Sequence, residues 1–166
     1  MGSRGWKTAI LCGNEEVAVL HPPLKKVLLW HITSKCNQSC KYCYGSFDGS
    51  SYKAKSKYNR DVPLEKLLKT ADGLATLGFH RAYVCGGEPF LRNDIWAFLT
   101  RLAHNNIQPF VLTHGKLIPP EFTDYFTSGV FANLSFSLDS INKSYNDWVR
   151  GSTSIVIGNI EKIAGM

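Results

Sequence analysis

Hydrophobic positions follow two alternating patterns from residue 27 onward. Short apolar runs predict four strands, at residues 27–33, 82–85, 109–113 and 134–138. Apolar residues at three- and four-residue spacing predict four helices, at residues 64–78, 95–103, 120–127 and 155–164. Strand and helix therefore alternate four times along the chain.

This alternation predicts an α/β fold in which helices cover a parallel sheet. Crossover connections between parallel strands are right-handed, so successive strands bend one way and can begin a barrel. A full eightfold barrel uses about 250 residues, or about 30 for each unit. Residues 27–166 can hold about four such units, and we predict a parallel (βα)n partial barrel.

The first 26 residues have a different pattern. A short apolar segment from Val17 to Leu20 is followed by Pro22 and Pro23, which interrupt regular structure. We expect residues 1–26 to form an N-terminal strand or hairpin and a linker, and residues 27–166 to form the core.

Composition and charge narrow the function classes only slightly. The 166 residues are 44% hydrophobic and 19% charged, which is ordinary for one globular domain. Much of the net charge of +6 lies in a polar segment that contains Lys53, Lys55, Lys57 and Arg60. A solvated basic loop is the simplest interpretation, and a surface for an anionic substrate or a nucleic acid is the alternative.

Membrane and secreted proteins have features that this sequence does not show. No apolar run approaches the roughly 18 residues of a membrane-spanning helix, and the first residues do not resemble a secretory signal. The five cysteines are odd in number, which argues against a disulfide framework. We expect a cytoplasmic protein that does not bind a membrane.

Three of the cysteines lie close together directly after the first predicted strand. Cys36, Cys40 and Cys43 fall within residues 34–44, called the cysteine loop below. Thiolates bind both zinc and iron–sulfur clusters, but a structural zinc site needs four ligands. His31 is the nearby candidate for a fourth ligand, and it falls within a strand pattern. The three cysteines therefore favour a [4Fe–4S] cluster that leaves one iron open to a small molecule.

Other polar motifs follow the remaining predicted strands. They are the turn Gly86-Gly87-Glu88-Pro89, the triplet Thr113-His114-Gly115 and the segment Ser137-Leu138-Asp139. Because the carboxyl ends of parallel strands meet at one edge, we expect these motifs to lie beside the cysteine loop.

Together, these motifs resemble those of the radical S-adenosylmethionine (SAM) enzyme superfamily. The Cys-x-x-x-Cys-x-x-Cys spacing after a first strand, with Tyr42 before the third cysteine, is similar to that family's cluster motif. The Gly-Gly-Glu-Pro turn, the Ser-Leu-Asp segment and the pair Arg150-Gly151 also resemble family motifs, whereas His114 stands where the family often has asparagine. The resemblance covers about residues 27–166, the N-terminal part of a core that usually has six βα units.

The resemblance implies a set of cofactors and a site. The three cysteines would hold a [4Fe–4S] cluster whose open iron binds the amino and carboxylate groups of SAM. One electron from a donor such as flavodoxin or ferredoxin would cleave SAM to methionine and a 5′-deoxyadenosyl radical. That radical would abstract hydrogen from a peptide, a cofactor precursor or a small molecule. The residues expected to contact SAM are Tyr42, Gly86, Gly87, Glu88, Pro89, Thr113, Ser137 and Asp139.

Two other functions remain open at this point. The chain could be a non-enzymatic iron–sulfur or zinc binding module. It could also be an incomplete domain that needs another chain, because fifth and sixth βα units are not visible in the sequence. In that case the last strand would be an open edge, where we expect self-association or a partner chain.

Overall fold

The computed structural model describes residues 7–12, 15–20, 25–43 and 61–166. The basic segment at residues 53–60 lies outside the described residues, so both interpretations of its charge stay predictions. The strands are β1 (Lys7–Cys12), β2 (Glu15–Leu20), β3 (Lys26–Thr33), β4 (Phe79–Gly86), β5 (Gln108–Thr113) and β6 (Asn133–Phe136). The helices are α1 (Leu64–Thr76), α2 (Ile95–His104), α3 (Phe122–Thr127), α4 (Lys143–Val149) and α5 (Thr153–Ala164), and a 3₁₀ turn spans Pro89–Leu91.

Four of the strands form one parallel sheet in the order β3-β4-β5-β6. The order of the strands in the sheet is the same as their order along the chain. A crossover that contains a helix connects each strand to the next. This arrangement confirms the predicted α/β partial barrel. In the N-terminal segment, β1 and β2 pair with each other as an antiparallel two-stranded sheet.

Two differences from the predicted elements lie near the last strand. β6 ends at Phe136, so Leu138 is not part of the strand. The chain leaves the sheet here because the Asp139 backbone N–H donates to the side chain of Asn146 instead of to a neighbouring strand. Helix α4 was not predicted, because its aromatic residues Tyr145 and Trp148 are exposed and give no buried stripe.

The hydrophobic core lies between one face of this sheet and the helices. Helix α2 contributes Phe98, Leu99 and Leu102, all fully buried at its three- and four-residue spacing. The Phe98 ring meets the Trp30 ring of β3 edge-to-face, with centroids 4.9 Å apart. The remaining buried hydrophobic residues of this cluster are Ile32, Leu67, Ala71, Ala82, Val84, Phe90, Ile95, Trp96, Ile107, Val111, Phe122 and Phe131.

The packing of one sheet face fixes where the functional groups lie. Because the helices cover one face, the alternate side chains of each strand point to the other face, where Leu29 is 60% exposed. All four parallel strands end at the same edge, and the candidate motifs follow them there. None of the helices in the described residues combines the length and apolar character that a membrane span requires.

Replacing Phe98 by alanine tests this core. Phe98 is fully buried, so we expect Phe98→Ala to lower the free energy of unfolding by about 3–5 kcal/mol, through lost burial and the cavity left behind. Leu77→Ala is the control, because Leu77 is 60% exposed and its loss is expected to cost less than about 0.5 kcal/mol. Urea unfolding curves measure both values, and equal losses would contradict the described core.

Candidate functional site

The Gly-Gly-Glu-Pro turn lies directly against the cysteine loop. The Gly87 backbone N–H donates to the Thr33 carbonyl oxygen at 2.9 Å, and the Glu88 N–H donates to the Lys35 carbonyl oxygen at 2.7 Å. These bonds continue the β3–β4 pairing beyond the ends of the strands. The turn and the start of the cysteine loop therefore form one backbone unit.

Glycine is required at two positions of this contact. Gly86 has a φ of +149°, and a Cβ atom there would lie 2.3 Å from the Thr33 carbonyl oxygen. A Cβ atom on Gly87 would lie 2.1 Å from the Lys35 carbonyl oxygen. Both distances are far below van der Waals contact with backbone, which cannot move aside. The two glycines thus allow the turn to touch the loop, and their contact with SAM stays a prediction.

The three loop cysteines are free thiols of intermediate burial. Sγ of Cys36 accepts the Gln38 backbone N–H at 3.4 Å, and Sγ of Cys40 lies 3.9 Å from Nη1 of Arg150. Burial raises the pKa of the Cys36 and Cys40 thiols. Two of the three sulfurs are therefore already hydrogen-bond acceptors for the protein.

This donor set fits an iron–sulfur cluster, whose properties depend on hydrogen bonds to its cysteine sulfurs. Among the described residues, no three His, Cys, Asp or Glu side chains converge where one metal ion could bind. In an iron–sulfur cluster each cysteine binds a different iron. The absence of such a convergent group among the described residues therefore concerns sites for a single metal ion only. His31, the candidate fourth ligand for zinc, lies within β3, opposite Cys85 of β4.

Glu88 is fully buried and joins the turn to the end of β5. Its Oε1 accepts the Thr113 hydroxyl at 2.8 Å and the Phe90 backbone N–H at 3.1 Å, while Oε2 accepts the His114 N–H at 3.0 Å. Burial raises the pKa of the Glu88 carboxyl, and these three donors oppose that rise. Pro89 begins the buried 3₁₀ turn that presents the Phe90 N–H. The Glu88 carboxylate therefore accepts three hydrogen bonds from groups of the protein itself.

His114 connects the end of β5 to the cysteine loop. Its Nδ1 accepts the Lys116 backbone N–H at 2.9 Å, so the ring proton resides on Nε2. Nε2 then donates to Oδ1 of Asn37 at 2.6 Å. This contact ties together residues that are 77 positions apart in the sequence.

The His114 ring is neutral in this setting. Burial lowers the pKa of His114 to about 4, and the positive charge of Lys116 acts in the same direction. Nε2 also lies 3.1 Å from Oε2 of Glu88. Because the imidazole is uncharged at neutral pH, this contact is a dipolar interaction and not an ion pair.

A second polar cluster joins the cysteine loop to the segment after β6. The Tyr42 hydroxyl donates to Oδ2 of Asp139. Nε of Arg150 donates to the same oxygen at 2.5 Å, and Nη2 donates to Oδ1 at 3.3 Å. The Arg150 guanidinium also lies 5.0 Å from the centre of the Tyr42 ring. Asp139 therefore binds two protein donors at once.

The structure thus sorts the predicted site residues into two clusters beside the cysteine loop. The first contains Glu88 and Thr113, and the second contains Tyr42 and Asp139. Ser137 connects the two clusters through its backbone. It lies two residues before Asp139, and its N–H donates to the Thr113 carbonyl oxygen at 2.9 Å.

The sequence motifs did not identify Asn37 as a site residue, and they included Arg150 only as part of the Arg150-Gly151 pair. A polar residue within a loop, such as Asn37, carries no local signal for a contact made 77 positions away. The Arg-Gly resemblance was the one available signal for Arg150.

Sequence comparison places these residues among known proteins. A sequence profile described as the Radical SAM superfamily matches residues 30–165. The chain is 34% identical over 119 residues to an S-adenosylmethionine-dependent nucleotide dehydratase of Selenomonas ruminantium, covering 68% of this chain and 38% of the relative. It is 26% identical over 127 residues to mycofactocin maturase MftC of Mycolicibacterium smegmatis, covering 76% of this chain and 31% of that relative. The chain thus spans about a third of the length of these relatives.

Solved structures agree on the fold. Streptococcus suis SuiB bound to S-adenosylmethionine superposes with a TM-score of 0.68 at 16% identity, over 81% of this chain and 30% of SuiB. SuiB has also been solved with its precursor peptide SuiA. Native anSMEcpe with bound AdoMet superposes with a TM-score of 0.61 at 20% identity, over 84% of this chain and 39% of that protein. At these identities the likeness establishes the shared fold.

The close approach at Gly87 predicts a specific intolerance. We expect Gly87→Ala to lower the free energy of unfolding by about 2 kcal/mol, because its Cβ would overlap backbone of the cysteine loop. Gly73→Ala is the matched control, since Gly73 lies within α1 with no atom near the added Cβ. That change should raise stability by up to about 1 kcal/mol. Urea unfolding tests both, and a Gly87→Ala variant as stable as the parent would rule out the described contact.

The neutral state of His114 predicts a pH dependence. Because the pKa of His114 is about 4 in the fold and about 6.5 when unfolded, the unfolded chain binds the extra proton between these values. The stabilisation is complete above pH 6.5 and is lost as pH falls, by about 2 kcal/mol from pH 7 to pH 5. Urea unfolding of the metal-free chain at both pH values measures this loss.

The control for this dependence is His114→Gln, which has a donor near the Nε2 position but does not titrate. We expect the pH 7 to pH 5 loss of stability to be smaller in this variant than in the parent chain. Identical losses in the two proteins would show that His114 is not the titrating group.

Proposed function

Because the chain belongs to the radical SAM superfamily, we propose that it holds a [4Fe–4S] cluster on Cys36, Cys40 and Cys43 and binds SAM at the open iron. The superfamily consists of enzymes that use these two cofactors. The observation that carries the proposal is the position of three half-buried thiols at the carboxyl edge of a parallel sheet, with the Gly-Gly-Glu-Pro turn hydrogen-bonded to their loop.

The protein groups around the loop have separate tasks in this proposal. The thiols hold the cluster, and the Asn37–His114 hydrogen bond fixes the part of the loop that follows Cys36. When bound and reduced by one electron, the two cofactors together supply methionine and a 5′-deoxyadenosyl radical for hydrogen abstraction. The electron comes from a donor such as flavodoxin or ferredoxin, and a reducing compartment such as the cytoplasm keeps the thiols available.

The proposed SAM contacts come from the strand ends and from Tyr42, whose residue surface is 51% exposed. They are Tyr42, Gly86, Gly87, Glu88, Pro89, Thr113, Ser137 and Asp139. The carboxylates of Glu88 and Asp139 already accept several hydrogen bonds from the protein. We therefore infer that these two residues act mainly by orienting the surrounding backbone and Tyr42.

The proposed reaction is hydrogen abstraction from a peptide, a cofactor precursor or a small molecule. Proteins similar to this chain include one named for a nucleotide and one solved with a precursor peptide. We propose that the substrate lies against the exposed sheet face beside the strand ends, which contains Leu29 and the paired rings of Tyr83 and Phe110.

A second candidate function is a cluster-binding domain that needs further strands before it can act. The observation that favours it is the position of β6, which pairs on one side only within the described residues. Parallel strands are normally covered on both sides, and an unpaired edge attracts another strand. In this alternative, a second copy or a partner chain pairs along β6.

Anaerobic reconstitution with iron and sulfide tests the cluster. We expect about four irons and four sulfides per chain. Alanine variants of Cys36, Cys40 or Cys43 should lose the cluster, because each removes one of three thiolate ligands. Cys85→Ala is the control, since Cys85 is a buried thiol on β4 and its change should leave iron content unaltered. One zinc per chain without sulfide would contradict the cluster.

The same preparation separates the two candidate functions. Reduction in the presence of SAM should release 5′-deoxyadenosine, detected by chromatography, if the chain is active as it stands. A stable cluster without 5′-deoxyadenosine, together with dimers or larger species in sedimentation, would favour the domain that needs further strands.

A further inference from the structure

Arg150 occupies a fixed position beside the cysteine loop. It directly follows α4, and its backbone N–H donates to the Asn146 carbonyl oxygen at 2.7 Å. The preceding carbonyl, that of Val149, accepts the Lys41 N–H of the cysteine loop at 2.9 Å. The helix end and the loop are therefore joined by a main-chain hydrogen bond next to both Arg150 and Cys40.

The Arg150 side chain is held on three sides. Asp139 accepts two of its N–H groups in a fork, and the Tyr42 ring lies under the guanidinium. The remaining Nη1 is 3.9 Å from Sγ of Cys40. The Arg150 side chain is only 19% exposed, so water screens its charge incompletely. A cation is thus aimed at one particular cysteine sulfur.

We propose that Arg150 sets the reduction potential of the cluster by placing a positive charge and an N–H donor on the Cys40 sulfur. This inference rests on the proposed function, because it requires a cluster ligated by Cys40. Reduction adds one electron from the flavodoxin- or ferredoxin-type donor and changes no bond. A cation near a ligand sulfur stabilises the more negative, reduced form, so Arg150 raises the potential.

Lys41 provides an internal comparison for this proposal. It is adjacent to Cys40 in sequence and carries the same charge, but its Nζ lies over the Trp148 ring, 3.8 Å from the ring centre. No hydrogen bond connects Lys41 Nζ to a cysteine sulfur in the described residues. The Lys41 charge therefore points away from the sulfur, and its effect on the potential falls with distance and with screening by water. A directed effect belongs to Arg150, whose Nη1 faces the Cys40 sulfur.

The test is a redox titration of the reconstituted chain without SAM, followed by the electron paramagnetic resonance signal of the reduced cluster. We expect Arg150→Gln to shift the midpoint potential to more negative values and Arg150→Lys to shift it less in the same direction. Lys41→Gln should shift it less than Arg150→Gln. Omitting SAM excludes any contact between Arg150 and SAM as the cause of a shift.

Iron and sulfide content, measured on every sample, separates this inference from the proposed function. A parent chain without a cluster would contradict the proposed function, and this inference with it. An Arg150→Gln chain that holds the cluster and has an unchanged potential would overturn the role of Arg150 and leave the proposed function intact. A Lys41→Gln shift as large as the Arg150→Gln shift would do the same. If Arg150→Gln fails to assemble a cluster, an Arg150→Lys potential equal to that of the parent overturns the directed contact.

Discussion

The buried carboxylate of Glu88 is the constraint on which the rest of the site depends. An ionised carboxylate removed from water is costly unless several donors reach it. The end of β5 supplies two of them, the Thr113 hydroxyl and the His114 N–H, and the 3₁₀ turn supplies the Phe90 N–H. Satisfying Glu88 therefore requires β4, β5 and the turn between β4 and α2 to meet at one point. That requirement aligns the strand ends against which the cysteine loop rests.

Hydrogen bonds hold the cysteine loop from two directions. On one side, Asn37 receives the Nε2–H of His114, whose ring is kept neutral by its burial and by the positive charge of Lys116. On the other side, Asp139 accepts from Tyr42 and Arg150, and Arg150 reaches Cys40. Preorganised hydrogen bonds of this kind fix ligand geometry before a metal centre is bound. The loop thus needs no secondary structure of its own to present its thiols.

Helix α4 is short and exposed, yet it positions the arginine through a polar network. Asn146 is 1% exposed, accepts the Asp139 N–H through Oδ1 and donates to the Thr153 hydroxyl through Nδ2. Asp147 accepts the Thr153 N–H and hydroxyl at the start of α5. Since the buried side chains of Asn146 and Thr153 have hydrogen-bond partners, the network specifies one arrangement of β6, α4 and α5. The end of α4 is thereby fixed beside the loop.

The sequence alone determined the features that have a local cause. Periodic apolar residues predicted all four parallel strands, and three cysteines close together after the first strand predicted a cluster loop; both follow from spacing within a few residues. The tertiary structure decided which polar groups meet: His114 with Asn37 across 77 positions, and Arg150 with Cys40 across 110. It also decided that Glu88 accepts three hydrogen bonds from the protein inside the fold, and that β6 ends at Phe136. Buried polar groups need hydrogen-bond partners, and in these contacts the partners come from distant parts of the folded chain. The periodicity of residues along the sequence carries no information about such distant pairs.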